Sequence, residues 1–173
     1  MQLIQTIAGF MLAARNIPIA SALQTPAEFH LVSSSSDTAL DNLYLSTKST
    51  GPLNSNPVFR DPANAASFYL TNTTLNYDAP NKAPWALALL RGNTAQGNME
   101  VSVNPSVTVA ISTGFHINGD MHLYSESPSW GGWLVCPGQQ TSLLQLFYHN
   151  TSVGPDVPTG CGRVQLTAVY TSA

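Results

Sequence analysis

Two histidines flank a short turn in the second half of the chain, at a spacing that could place both on one metal ion. If the turn after His116 is a three-residue loop, Ile117 faces Met121 and His116 faces His122 across the hairpin, with Asp120 in the loop. Two imidazoles and a carboxylate suit a divalent metal, but structural and catalytic sites use three or four ligands on rigid supports. We therefore expect the polar face of a hairpin here, with no bound metal and no cofactor.

Acidic residues are the second source of chemistry to consider, because a glycosidase needs two carboxyl groups across the bond that it cleaves. Glu100 lies inside a predicted strand, MEVSV, from which it could point into a cleft. The aspartates lie in predicted turns, where capping is their usual role. No GxSxG motif marks a nucleophilic serine. We therefore expect no enzyme, and a small hydrolase centred on Glu100 is an alternative.

Exposed indoles can bind sugars by stacking, and the segment WGGW at 130–133 places two tryptophans around a pair of glycines. Trp133 begins an alternating apolar run, which predicts a core position. Trp130 follows a Pro-Ser pair and is the candidate for an exposed, ligand-binding aromatic residue.

The elements that position these residues are constrained by a single pair of cysteines, Cys136 and Cys161. In a secreted chain, an even pair predicts a disulfide, and neither cysteine has the CxxC or histidine spacing of a metal site. The chain-entropy estimate gives such a bond roughly 3 kcal/mol of stabilisation. It would join the C-terminal strand to the strand that begins at Trp133.

Two asparagines, Asn72 and Asn150, begin sequons of the N-x-[ST] type. Each falls between predicted apolar strands, where a glycan can project into water. Both are therefore expected to be glycosylation sites, with Asn72 at the exposed tip of a hairpin.

Charged residues make up only 9% of the chain, and the formal net charge is −3. Soluble domains usually contain about 25% charged residues, so Ser, Thr, Asn and Gln must cover this surface. Nucleic acids and anionic membranes bind clustered Lys and Arg, which the chain lacks. We expect no nucleic-acid partner.

The N-terminal segment has the pattern of a secretory signal. An apolar run from Leu3 to Ala14 precedes Pro18 and the small residues Ala20-Ser21-Ala22. The run is shorter than the roughly 20 apolar residues that a membrane helix needs, and no later segment is longer. Residues 1–22 are therefore expected to be a signal peptide, and residues 23–173 a single extracellular domain without a membrane span.

The rest of the chain predicts β-structure. Short segments rich in Val, Leu, Tyr, Phe and Thr alternate with clusters of Pro, Gly, Asn and Ser, and no later window shows a helical apolar stripe. The predicted strands are 28–33, 42–46, 66–71, 74–78, 85–90, 98–103, 107–111, 113–117, 120–125, 132–136, 143–149 and 162–171.

Similar hairpins are predicted at 68–77, where Leu70 faces Leu75, and at 115–124, with a looser third copy that begins at Phe29. Three such hairpins would suit a β-trefoil-like fold, but their spacing is unequal. The fold class predicted first is therefore all-β, a single antiparallel domain built as a two-sheet sandwich or barrel with one disulfide, and the trefoil is the alternative.

The order FHI, MHLY, GGWLVCPG, LQLFYH and GCGRVQLTAVY, read from Phe115, resembles small secreted proteins of filamentous ascomycetes that are distantly similar to the cell wall protein PhiA. The earlier segments LDNLYLSTKSTG, FYL and WALAL fit the same layout. The resemblance implies a secreted or wall-associated, mostly β protein without an assigned activity. It also carries over Cys136 and Cys161 as a matching cysteine pair.

The first functional hypothesis is a secreted, non-enzymatic protein of the fungal cell wall or secretome. A lectin-like carbohydrate-binding module or host-directed effector that uses Trp130 is the second, and the small hydrolase is the third. The partner expected from the first two is cell-wall polysaccharide or a host surface.

The processing prediction can be tested on secreted material. Because small residues occupy positions −3 and −1 before the cut, N-terminal sequencing should begin at Leu23. A protein found only in the cytosol with Met1 intact would contradict the assignment of the compartment.

Overall fold

The computed structural model describes residues 26–138 and 142–171, and almost every element in them is a β-strand. The expected signal peptide and cleavage site lie outside the described residues. The all-β class is confirmed, with one 3₁₀ turn at Pro62–Asn64 in the described part of the chain. The strands are β1 (Phe29–Ser34), β2 (Tyr44–Ser49), β3 (Asn54–Arg60), β4 (Phe68–Thr71), β5 (Thr74–Tyr77), β6 (Trp85–Leu90), β7 (Gln96–Gly97), β8 (Met99–Val103), β9 (Ala110–Ile111), β10 (Phe115–Ile117), β11 (Leu123–Ser125), β12 (Trp130–Pro137), β13 (Leu144–Asn150) and β14 (Gly162–Tyr170).

The strands form one large antiparallel sheet of 12 strands and a small one of 2, β10 with β11. The order in the large sheet is β2-β3-β8-β6-β5-β4-β1-β14-β12-β13-β7, with β9 beside β6. Two further pairings, β1 with β2 and β3 with β13, join strands that are far apart in this order. They complete the closed circuit β1-β2-β3-β13-β12-β14, so the sheet folds back on itself as a barrel does.

Side-chain burial along the strands explains why these segments are β. In β14, Val164, Leu166 and Ala168 are buried and alternate with more exposed residues, the pattern of a strand with one face on the core. In β6 the run WALAL is buried throughout, because this strand has neighbours on both edges and is covered on both faces.

Strand β3 was not predicted, because its Asn, Ser and Pro residues are typical of turns. Its partners impose the extended conformation. On one edge it pairs with β2, and on the other it pairs first with β8, at Asn54 and Ser55, and then with β13, at Val58. Pro57 lies between the two stretches, where its missing N–H interrupts no pairing on that edge.

Two smaller differences from the predicted strands also occur. The short strand β7 was not predicted, and the predicted strand 107–111 contains regular pairing only at Ala110–Ile111. Val107 and Val109 are exposed, so hydrophobicity alone misplaced this segment.

The predicted register of the β4–β5 hairpin is confirmed. Leu70 lies opposite Leu75, and Asn72 is exposed in the turn with a φ of 55°. The segments that begin at Phe29, 68 and 115 do not form three equivalent hairpins, since β1 meets β2 at the single pair Val32–Tyr44. The trefoil alternative therefore lacks its basis.

The predicted register of the β10–β11 hairpin is wrong. Ile117 lies opposite Leu123 rather than Met121, a shift of two positions that keeps the same side chains on the core face. The cause is a longer loop, closed by Asn118, whose side-chain Oδ1 accepts hydrogen bonds from two backbone N–H groups at 3.0 and 2.8 Å. Met121 takes the left-handed conformation in this loop, with φ 65°.

The expected contact between the two histidines is lost with that register. His116 lies opposite Tyr124, and His122 forms an isolated bridge with Thr167 of β14. The hairpin is thereby tied to the large sheet instead of presenting two imidazoles side by side.

Trp133 connects the small sheet to the main core. Its side chain is 2% exposed, stacks with Phe115 at a ring-centroid distance of 6.4 Å, and donates a hydrogen bond from Nε1 to the carbonyl of Leu123 at 2.6 Å. The predicted core position of Trp133 is therefore confirmed.

The disulfide between Cys136 and Cys161 is present. Cys136 is in β12, and Cys161 immediately precedes β14, which pairs with β12. Both sulfur-bearing residues pack in a second small core with Leu134 and Phe147. No helix in the described ranges is long and apolar enough to cross a membrane.

Reduction of this bond is expected to lower the free energy of unfolding by about 3 kcal/mol, because the bond restricts the unfolded chain. The measurement is denaturant unfolding of the purified protein with and without a thiol reductant. The Cys136→Ser/Cys161→Ser double variant is the control and should not respond to reductant. Thiol labelling of the native protein, or equal unfolding midpoints, would contradict the prediction.

Candidate functional site

The divided pairing of β3 opens a cleft in the large sheet. Where β8 and β13 part from β3, a space of about 330 Å³ remains, which we call the fork cleft. Its polar lining comes mainly from Asn54 and Asn56 on β3, Asn98 and Glu100 at β8, and Gln145 on β13. Strands β3, β8 and β13 therefore position these side chains, which are far apart in the sequence and meet only through strand pairing.

Amide side chains dominate the polar wall of the fork cleft. Asn56 donates from Nδ2 to Oε1 of Gln145 at 3.4 Å, across the boundary between β3 and β13. Gln145 is 6% exposed, since it lies in a paired strand between Val58 and Cys136. Amides both donate and accept hydrogen bonds, so this wall complements a ligand rich in hydroxyl or amide groups.

Glu100 lies on the fork cleft, as its strand position suggested. It is half-buried, and its carboxylate accepts a hydrogen bond from Oγ of Ser102 at 2.9 Å. Ser102 is itself buried and projects from the same face of β8 two residues on. No second carboxylate lines the cleft in the described ranges, so the pair of acids that glycoside hydrolysis needs is not assembled here.

The apolar floor of the fork cleft is rigid and offers no aromatic face. Phe147 is 1% exposed, so its ring belongs to the core rather than to a stacking surface. Behind the floor, the buried Tyr148 hydroxyl donates to the carbonyl of Leu90 at 2.9 Å. Burial raises the pKa of the Tyr148 phenol above its ordinary value.

A second depression, the Trp groove, lies beside the small sheet and has a volume of about 280 Å³. Its lining includes His122, Tyr124, Trp130 and Gln165. The prediction of Trp130 as an exposed loop residue is wrong. Trp130 is the first residue of β12, is half-buried, and packs edge-on against Trp133 at 5.3 Å. Its indole therefore contributes to packing as well as to the groove.

The glycines between the two tryptophans are required by close packing and backbone geometry. A Cβ at Gly131 would collide with Cγ2 of Thr151, and Gly132 has a φ of +112°, which L side chains rarely adopt. The β12–β13 register also shifts between the two tryptophans. The WGGW segment is thus a bulge that aims both indoles toward the core.

A polar network between exposed Arg163 and buried His149, which the sequence did not reveal, holds this bulge. Nη1 of Arg163 donates to the carbonyl of Gly131 at 2.8 Å, and Nη2 donates to Nδ1 of His149 at 2.9 Å. Because arginine can only donate, Nδ1 of His149 is the acceptor, and Nε2 carries the proton toward the carbonyl of Asp156 at 3.1 Å. His149 is 1% exposed, so its role is structural.

The remaining histidines do not form a metal centre with each other. His116 stacks on Tyr124 at 5.4 Å, and its Nε2 lies 3.1 Å from Oε1 of Glu126. His122 lies in the Trp groove instead. Among residues 26–138 and 142–171, no three His, Cys, Asp or Glu side chains are grouped to hold a metal ion.

The two sequons occupy different environments. Asn72 is exposed in the β4–β5 turn, as predicted. Asn150 is the last residue of β13 and is 2% exposed, so the expectation that it projects into water is wrong. Its Nδ2 donates to the carbonyl of Gly92 at 3.1 Å, and its Oδ1 accepts from the backbone and side chain of Ser152.

Comparison with known proteins identifies one family and no individual relative. A family model described as a domain of unknown function (DUF7907) matches residues 26–170. This range includes both cysteines of the disulfide and every residue named in the two depressions. No curated protein and no solved structure matches the chain.

When the protein passes through a eukaryotic secretory route, a glycan is expected on Asn72 and not on Asn150. The nitrogen that would carry the glycan on Asn150 is buried and hydrogen-bonded. Peptide mapping by mass spectrometry measures both sites. Asn72→Asp should remove the glycan with little loss of stability, because aspartate also tolerates the left-handed conformation of this turn. Asn150→Leu should lower the free energy of unfolding by about 1–3 kcal/mol through unpaired buried groups. Folded protein with a glycan on Asn150 would refute this.

Proposed function

The chain belongs to the DUF7907 family, whose description names no activity. From this premise we propose that the protein is a secreted, non-enzymatic extracellular protein that binds cell-wall polysaccharide in the fork cleft. The observation that carries the proposal is the lining of this cleft. Four amide side chains and a single carboxylate face a space of sugar-sized volume, about 330 Å³. Specific sites of this size use a few fixed polar groups to orient a ligand.

The chemistry of the lining supports binding rather than hydrolysis. Asn54, Asn56, Asn98 and Gln145 match the alternating donors and acceptors of a polyhydroxylated chain. Glu100 has no carboxylate partner on the cleft, so it lacks the second group that would activate water or attack the sugar. In this reading Glu100 is a binding residue.

Two features support the extracellular setting. The Cys136–Cys161 disulfide is of a kind that persists in oxidising compartments. Only 9% of the residues are charged, so hydroxyl and amide groups must cover much of the surface, and these groups can form hydrogen bonds with carbohydrate hydroxyls.

Wild-type protein is expected to be retained on at least one of chitin, β-glucan or mannan, and the Asn54→Ala/Asn98→Ala double variant to bind about tenfold more weakly. Both asparagines are exposed on the cleft, and two lost hydrogen bonds at about 0.5–1.5 kcal/mol each give a change of this size. Binding isotherms on the insoluble polymers measure it. Asn93→Ala, an exposed asparagine outside the cleft, is the matched control.

Three outcomes would decide against parts of the proposal. Absence of retention on every polymer removes the binding function. Equal binding by the double variant removes the fork cleft as its site, and weaker binding by Trp130→Phe would then assign the Trp groove. Release of reducing sugars by wild type, abolished in Glu100→Gln, would establish a hydrolase in place of a binding protein.

A further inference from the structure

We infer that Glu100 makes the fork cleft exclude glycans that carry carboxylates, so that neutral glycans bind in preference to anionic ones. The inference rests on the proposed function and adds the chemical class of the ligand. It concerns a group that touches the ligand rather than a residue that acts at a distance.

The position of Glu100 fixes its carboxylate in the cleft wall. Glu100 pairs with Ala88 in the middle of the β6–β8 ladder, so its backbone is held on the β6 side by regular pairing. Oγ of Ser102 donates to Oε1 at 2.9 Å and fixes the rotamer. A carboxylate has about four acceptor positions, and the serine uses one of them. The others can accept hydrogen from sugar hydroxyls.

No cation lines the fork cleft in the described part of the chain. The ion pairs in the described ranges join Lys82 to Asp78 and His116 to Glu126, and none of these four residues lines the cleft. The other lining side chains are uncharged. A uronate group would therefore meet Glu100 in a partly desolvated space without a compensating positive charge, and like-charge contacts of this kind are strongly unfavourable.

The uncharged part of the lining provides most of the hydrogen bonds that a neutral glycan would make. Four amides against one carboxylate make hydrogen bonding the main attraction. A neutral sugar whose hydroxyls donate to Glu100 and accept from the amides satisfies both groups.

The test compares four soluble oligosaccharides of equal length by calorimetric titration of the full-length mature protein. Two are neutral, a β-glucan and an N-acetylglucosamine oligomer, one is an anionic galacturonate oligomer, and one is a cationic glucosamine oligomer. Wild type should bind a neutral oligomer at least tenfold more tightly than galacturonate, which corresponds to about 1.4 kcal/mol or more. Exclusion of galacturonate should weaken as salt rises, because salt screens charge repulsion.

Glu100→Gln should reduce the preference for neutral over galacturonate oligomers to below about threefold. Neutral oligomers should bind more weakly, because a charge-assisted hydrogen bond is about twice as strong as a neutral one. Galacturonate should bind more tightly, because the negative charge that repels it is gone. Glu126→Gln, an exposed glutamate outside the cleft, should keep the wild-type preference. The salt series on wild type needs no variant and tests the inference even if Glu100→Gln does not fold.

Distinct results would overturn the inference. Equal wild-type affinity for neutral and galacturonate oligomers removes the selectivity while leaving the proposed function in place. Exclusion of the glucosamine oligomer to the same degree as galacturonate would show that the shape of the cleft, and not the charge of Glu100, causes the exclusion, and would overturn the inference. Failure of all four oligomers and of the insoluble polymers removes the proposed function, and the inference falls with it.

Discussion

Strand β3 has two partners on one edge, and both the closure of the sheet and the fork cleft depend on this divided pairing. A strand that continued along β8 would leave β13 with only the short strand β7 on that side, and the circuit β1-β2-β3-β13-β12-β14 would stay open. Because the two partners diverge, the edge of β3 between them faces a space rather than a strand. Pro57 is compatible with this position, since it has no N–H to leave unpaired.

The opposite side of the circuit is held by different interactions. There β12 and β14 are joined by the disulfide, by backbone pairing and by Arg163, whose guanidinium reaches the bulge at Gly131. Trp133 adds the small sheet to the same wall through its hydrogen bond to Leu123. β13 pairs with β12 along this wall, with Gln145 directly opposite Cys136, and carries Gln145 into the fork cleft. The disulfide and the cleft are therefore mechanically linked through two adjacent strands.

Features that depend on nearby residues could be predicted from the sequence, and features that depend on distant ones could not. Alternating apolar residues located most strands, and the turn at Asn72 fixed the register of β4–β5. The same reasoning failed for β10–β11, because one side chain, Asn118, lengthened the loop. Strand β3 was missed because its neighbours, rather than its composition, make it extended.

The same distinction applies to the site. Glu100 was identified because it lies inside a predicted strand, from which a carboxylate can point into a cleft. Asn54 and Gln145 gave no signal, since asparagine and glutamine are common on surfaces and their meeting depends on the β3–β13 pairing. Trp130 was misjudged because its neighbours in sequence suggest a loop. The shift in register at Gly131 and Gly132, which turns the indole inward, is a property of the folded sheet.

Recognition through amides and one carboxylate places a physical demand on the cleft. Each hydrogen bond to a sugar replaces one to water and contributes about 0.5–1.5 kcal/mol net, so a single sugar unit gains little if the side chains must also be ordered. In the fork cleft part of that ordering is complete before binding, since Asn56 is bonded to Gln145 and Glu100 to Ser102 on paired strands. Exposed Asn54 and Asn98 still lose freedom on binding.

A polymer that presents the same unit many times compensates for this weak individual contact, because a released unit is replaced by its neighbour at high local concentration. The geometry therefore suits a fixed polysaccharide surface better than a free monosaccharide.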